Sequence, residues 1–264
     1  MPVIPPLASP LPIPNRWARP LTTDAPMKWL AQGWRDFMTQ PAMSLAYGAL
    51  IFLVSAFFVG GLIALGRDYI LFPAFAGFMV VGPILAIGLY EKSRRIEAGQ
   101  PLHWADIFFV RPRSGGQILF TGVLLCLLMM VWMRAAVIIY ALFFGLVPFP
   151  GLARVAPMLF MTQTGWAMLV VGTAVGGLFA AFSFAISVFS IPMLLDEDTD
   201  ALTAMASSMA LVWTNLRVLL IWAVIVLGLF LVSLATGMLG LIVIYPLLGH
   251  ATWHAYRAMQ PAAT

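Results

Sequence analysis

The sequence predicts an all-α integral membrane bundle of six transmembrane helices, and three observations predict it. Hydrophobic residues make up 62% of the 264 residues and charged residues only 9%, whereas a soluble domain carries about 25% charge to keep its surface hydrated. The apolar residues fall in long runs, each able to cross a hydrocarbon layer ~30 Å thick. Basic residues gather on alternate connecting segments, the pattern that orients a chain in a membrane.

Met1 to Pro26 is rich in proline. It has no basic stretch ahead of an apolar core, and prolines interrupt every candidate core, so it reads as a disordered tail of polyproline character and not as a signal peptide. From about Met27 to Thr39 the pattern predicts an amphipathic interfacial helix with Trp29, Leu30, Trp34 and Phe37 near one face. A six-span domain over 27–258 follows, with spans at about 42–65, 69–90, 117–137, 166–191, 218–235 and 238–256, then a short tail at 259–264. A second interfacial helix is expected from Ala201, ahead of span five. It is too polar at Ser207, Ser208, Thr214 and Asn215 to span, and Asp200, closing an acidic turn from Asp196, is placed to N-cap it.

With the N-terminus inside, the inner segments hold Arg16, Arg19, Lys28, Arg35, Lys92, Arg94, Arg95, Arg111, Arg113, Arg217 and Arg257, and the outer ones only Arg67, Arg134 and Arg154. That bias predicts both termini in the cytoplasm. It also accounts for the net charge of +4 without a nucleic-acid partner. Pro83, Tyr90 and Arg94 recur at the same offsets as Pro246, Trp253 and Arg257. The chain therefore reads as two-span hairpins entering from the cytoplasm, related as parallel repeats.

Few groups could carry chemistry. His250 and His254 stand one helical turn apart near the end of span six; a metal or haem ligand pair is one reading, and hydrogen bonding to neighbouring helices the commoner one. The single cysteine, Cys126, can form neither an intramolecular disulfide nor a Cys/His metal motif. Glu91, Arg94, Arg95 and Glu97 form a charge cluster where span two emerges, with Glu91 and Arg95 spaced for an i,i+4 ion pair. Arg134 is the one charge inside an apolar run, near the outer end of span three, where it can snorkel. Gly172, Gly176 and Ala180 form a small-residue row suited to close helix packing. Tyr140, Phe143 and Phe144, together with Phe149 and Phe160, place an aromatic surface on an outer segment at 138–160, a candidate partner surface.

Three blocks carry a resemblance: Gly33-Trp34-Arg35-Asp36 with Pro41; Pro73-Ala74-Phe75-Ala76-Gly77-Phe78 through Gly82-Pro83 to Gly88-Leu89-Tyr90-Glu91, Ser93-Arg94-Arg95 and Glu97; and Gly249-His250 with Trp253-His254, Tyr256 and Arg257. Over nearly everything after the tail the chain resembles a domain-of-unknown-function family of six-span bacterial inner-membrane proteins. The resemblance implies six spans, that location and no established activity. Some relatives carry a cytochrome c oxidase label. A haem–copper core needs about six intramembrane histidines, and this chain has 3 histidines in all, so the label leaves an accessory or assembly role beside a respiratory oxidase.

No set of nucleophile, base, metal or cofactor ligands can be assembled, so the expectation is a protein that is not an enzyme and holds no cofactor. Its expected partners are membrane lipids and a larger membrane complex that it scaffolds or helps assemble. The alternative is a transporter of a lipid or small apolar solute, because the spans lack the polar path that ions and polar solutes need. On this topology, reporter fusions at Ser114 and Ala201 should read cytoplasmic and fusions at Pro150 and Gly237 periplasmic. A periplasmic signal from Ala201 would overturn the six-span order.

Overall fold

The computed structural model describes residues 17–145 and 149–260, and these form helices with no strand among them. The proline-rich residues 1–16 and the last four residues lie outside the described residues. Residues of the tail from Trp17 onward are held against the bundle. Asn215 Nδ2 and Thr214 Oγ1 donate to Trp17 O, while Arg19 donates through its backbone N–H to Asn215 Oδ1 and through Nε to Met259 O. Of these, the Met259 carbonyl lies at a helix end that would otherwise leave it open.

The chain then runs α1 (Ala25–Met38), α2 (Pro41–Ala64), α3 (Leu71–Leu85), α4 (Ile87–Glu97), α5 (Trp104–Phe108) and α6 (Gly115–Phe144). It continues α7 (Leu152–Phe160), α8 (Gln163–Ser187), α9 (Ser190–Asp196), α10 (Ala201–Thr214), α11 (Leu216–Ala235) and α12 (Leu241–Met259). Gln40 takes the left-handed conformation, with φ 54°, and turns α1 into α2, which Pro41 opens. Asp200 caps α10 by accepting the Thr203 N–H, as its position predicts, and that bond holds its carboxyl below the usual range. The short helices ahead of α2 and α11 are both present, and each buries a face in the bundle. On α1 these are Trp29 and Phe37, with Trp29 edge-to-face on Trp222; on α10 they include Met205, Ser208 and Leu211.

Five helices are long and apolar enough to cross a membrane: α2, α3 continued by α4, α6, α8 continued by α9, and α11. The sixth of the bundle, α12, is 19 residues long, but its last turns carry His250, Thr252, His254 and Arg257. Those groups are admissible because α12 is enclosed by α1, α2, α4 and α11 and meets little hydrocarbon. The enclosure depends on glycine. A Cβ on Gly33 would lie 2.6 Å from the Ala251 backbone nitrogen, and one on Gly48 would lie 2.2 Å from the Ile242 carbonyl.

Two spans are discontinuous. Between α3 and α4, Ala86 N–H turns back to Pro83 O and Leu89 N–H to Ala86 O, so Gly82 O and Leu85 O lose their usual acceptor bonds. Tyr245 of α12 and Tyr47 of α2 donate their hydroxyls to these two carbonyls at 2.8 and 2.7 Å. Between α8 and α9 a single side chain does both jobs. Ser208 Oγ accepts the Phe189 N–H at 3.2 Å and donates to Ala185 O at 2.7 Å, standing inside what would be one i→i+4 bond.

Gly48→Ala should push α2 off α12 and lower the melting temperature in detergent by several degrees, since overpacking costs about 1–3 kcal/mol. Gly60→Ala, whose added Cβ meets nothing within 4 Å, should leave it unchanged. Equal melting of the two variants would show that the glycine contact does not hold the helices together.

Candidate functional site

The three sequence blocks that carry the resemblance lie far apart in the chain, and folding brings them together at the end of the bundle that bears the basic residues. Asp36 comes from α1, Glu91 to Glu97 from α4, and His250 to Arg257 from α12. Lys92, fully buried, donates from Nζ to Ser44 Oγ at 2.7 Å and to Gln40 O at 3.2 Å. Ser44, having accepted from the ammonium, keeps its own proton for His250 Nε2 at 3.0 Å. That assigns the proton of the neutral imidazole to Nδ1, which donates to Ser93 Oγ at 2.8 Å. One turn further on, His254 Nε2 meets Asp36 Oδ2 at 2.8 Å. The result is a chain of donors from Lys92 through Ser44 and His250 to Ser93, sealed from solvent.

Around it lies a ring of ion pairs. Glu91 takes two hydrogen bonds from Arg94 and one from Arg95, the latter being the expected i,i+4 pair. Arg95 also reaches Asp106 of α5 at 2.9 Å. Glu97 accepts from Trp253 Nε1 at 3.1 Å and Arg257 at 2.9 Å, which ties α4 to α12. Tyr256 donates to Glu197 at 2.8 Å and so joins α12 to the acidic turn. The predicted charge cluster is therefore interhelical cross-linking as much as a membrane-surface anchor. His250 and His254 do not face a common point: one is bonded to α2 and α4, the other to α1. No group of three or more His, Cys, Asp or Glu side chains placed to hold a metal occurs among the described residues.

Directly beyond this network, in the apolar part of the bundle, lies a cavity of about 980 Å³, at the upper end of the ~300–1,000 Å³ typical of ligand sites. Its walls come from α3, α4, α6, α7, α8, α11 and α12, and none of the described residues lining it is charged. Tyr90, Ser187, Trp222, Gly249 and Thr252 form its end toward the network; Tyr69, Phe149, Val155 and Met158 form the opposite end. Of its wall helices, α8 and α11 share little direct contact, and α10 packs on both.

The structure places three further groups singled out in the sequence. The row Gly172, Gly176 and Ala180 lines the cavity instead of making a helix seam: a Cβ on Gly172 meets nothing within 4 Å, and one on Gly176 meets only the Trp132 ring. Tyr140, Phe143 and Phe144 lie on α6, which continues to Phe144, and are half-buried, with Tyr140 lining the cavity and its ring tilted against Phe144 and Phe149. Arg134 is exposed ~28 Å along α6 from its start, at the 1.5 Å rise per residue of a helix, a position from which it can still reach an interface.

Sequence reasoning missed Lys92, Ser44 and Ser93 as members of one site, and missed Tyr90 and Trp222 as its apolar neighbours. The available signal was phase: Lys92 stands in the same turns as Glu91 and Arg95 but on the face shared with Leu89 and Ser93. His250→Ala should destabilise the bundle by about 2–4 kcal/mol, combining a cavity with two hydroxyls left unpaired. Thermal melting against exposed His103→Ala would check this, and equal melting would show that the histidine bridge carries no stability.

No curated protein and no solved structure matches the chain. A family described as "Predicted integral membrane protein (DUF2189)" matches residues 71–196. The match is narrower than the resemblance suggests: it holds the middle block and both discontinuous spans, while the blocks on α1 and α12 fall outside it. The molecule is thus a multi-pass integral membrane protein, and its residues 71–196 match the domain-of-unknown-function membrane family that its sequence blocks resemble.

Proposed function

We propose that the protein binds a lipid or small apolar solute in the inter-helix cavity and moves it within or across a bacterial inner membrane, with the basic end facing the cytoplasm. The observation that carries this is the cavity itself: large, with no charged residue among its described lining, and walled in part by α8 and α11, whose scant direct contact makes their shared side the proposed entry from the bilayer. The two discontinuous spans support it, because carriers commonly build their binding regions where transmembrane helices are broken. The buried network supports it too, since it closes the basic end against water and leaves entry to the side. No enzymatic step is part of the proposal.

The accessory or assembly role expected from the sequence rested on the missing catalytic and polar groups, the oxidase label of relatives and the aromatic segment at 138–160; of Tyr140, Phe143 and Phe144, Tyr140 lines the cavity. The test is to fill the cavity. Gly172→Phe adds a ring where a Cβ has open space, so folding should persist while binding of a fluorescent apolar probe by the purified protein falls about ten-fold or more. Unchanged binding in a well-folded Gly172→Phe protein would remove the cavity from the function.

A further inference from the structure

We infer that the ligand is an uncharged amphiphile, a long hydrocarbon chain ending in a hydrogen-bond-accepting oxygen, with that oxygen seated at the basic end of the cavity against Tyr90, Ser183 and Trp222. This deepens the binding reading above and rests on it.

Most lining hydroxyls near that end are already satisfied. Tyr245 donates to Gly82 O, Ser187 to Ser183 O and Thr252 to Leu248 O. Three polar side chains are not. Tyr90, Ser183 and Trp222 each line the cavity and are 2%, 3% and 0% exposed; the Trp222 Nε1–H is buried without a partner, and neither the Tyr90 nor the Ser183 hydroxyl makes a hydrogen bond among the described residues. They come from α4, α8 and α11, so three separate helices bring unpaired groups to one end of one cavity. A buried polar group without a partner is rare in a folded protein and needs an explanation.

The donor inventory specifies the complement. Trp222 Nε1–H can only donate, and the Tyr90 and Ser183 hydroxyls each have a proton to give. An occupant that satisfies them brings an acceptor: an ester, ketone or alcohol oxygen. A phosphate or carboxylate head would be an unpaired anion, because no described residue with a positive charge lines the cavity. The nearest cation, Lys92, follows Tyr90 in sequence but spends its protons on Ser44 and Gln40. The remainder of the lining, from Phe78 and Met79 to Leu227 and Phe230, is apolar and suits the chain.

The test uses the full-length protein in detergent and three probes of matched chain: oleyl acetate, oleyl phosphate and octadecene, each displacing a bound fluorescent alkyl probe. Oleyl acetate should bind about five-fold or more tightly than octadecene, the scale of one hydrogen bond or more. Tyr90→Phe and Ser183→Ala should each bring that ratio toward one while the octadecene affinity stays unchanged, which also shows that the variants fold. Tightest binding by oleyl phosphate would overturn the uncharged head. Equal binding of acetate and octadecene by the unaltered protein would overturn the polar seat and leave the apolar-ligand reading standing. Failure of all three to bind would sink both.

Discussion

The arrangement at the basic end depends on keeping the second half of α12 away from hydrocarbon. A helix carrying His250, Thr252, His254 and Arg257 cannot face lipid, where each unsatisfied polar group costs several kcal/mol. Enclosure by α1, α2 and α4 solves this, and it requires the backbones to come close. Gly33 and Gly48 meet α12 backbone directly, and Gly249 meets the Leu89 side chain, whose Cδ1 would lie 2.6 Å from an added Cβ. Once the helices are that close, short side chains suffice to connect them. Ser44 and Ser93 reach His250 across two helix interfaces, and Asp36 reaches His254 across a third. The polar network is in this sense a consequence of the glycines.

The same rule of satisfaction governs the two broken spans. A gap in a transmembrane helix exposes backbone carbonyls and amides that water cannot reach. At the α3–α4 break two tyrosine hydroxyls, one from each neighbouring helix, take the open carbonyls. At the α8–α9 break one serine takes both an amide and a carbonyl. Each break is therefore fastened to another part of the bundle: α3–α4 to α2 and α12, and α8–α9 to α10. The breaks are also where the cavity ends, since Gly82, Pro83, Ala86, Ser187 and Val188 line it. Helix discontinuity and cavity floor are one feature.

These facts separate what a sequence shows from what it hides. Long apolar runs, the cap at Asp200 and the Glu91–Arg95 pair depend on residues adjacent or one turn apart, and each is present where the pattern places it. The Lys92–Ser44–His250–Ser93 chain depends on three helices whose relative rotation no local pattern encodes, so its members read as unrelated polar residues. Ser208 is the sharpest case. In the sequence it is one polar residue too many for a comfortable span, and in the fold it is the group that completes another helix's backbone. The Tyr47 and Tyr245 hydroxyls were illegible for the same reason, because their partners are carbonyls that become open only through the break beside Pro83.

The small-residue row on α8 carries the last step. Glycine and alanine at every fourth position are compatible with two opposite structures, a tight helix seam or the wall of a cavity, because both need side chains that occupy little volume. What distinguishes them is whether a second backbone comes close. None does at Gly172, and at Gly176 only the Trp132 ring approaches. A space of about 980 Å³ cannot stand empty between membrane helices: at about 24 cal/mol per Å³ of unfilled volume, it would cost more than the roughly 5–15 kcal/mol by which a protein is stable. Water is a poor filler against walls that offer few hydrogen bonds. An apolar chain is the filler a bilayer supplies at no cost in solvation, and under the proposed binding role the small residues of α8 make room for it.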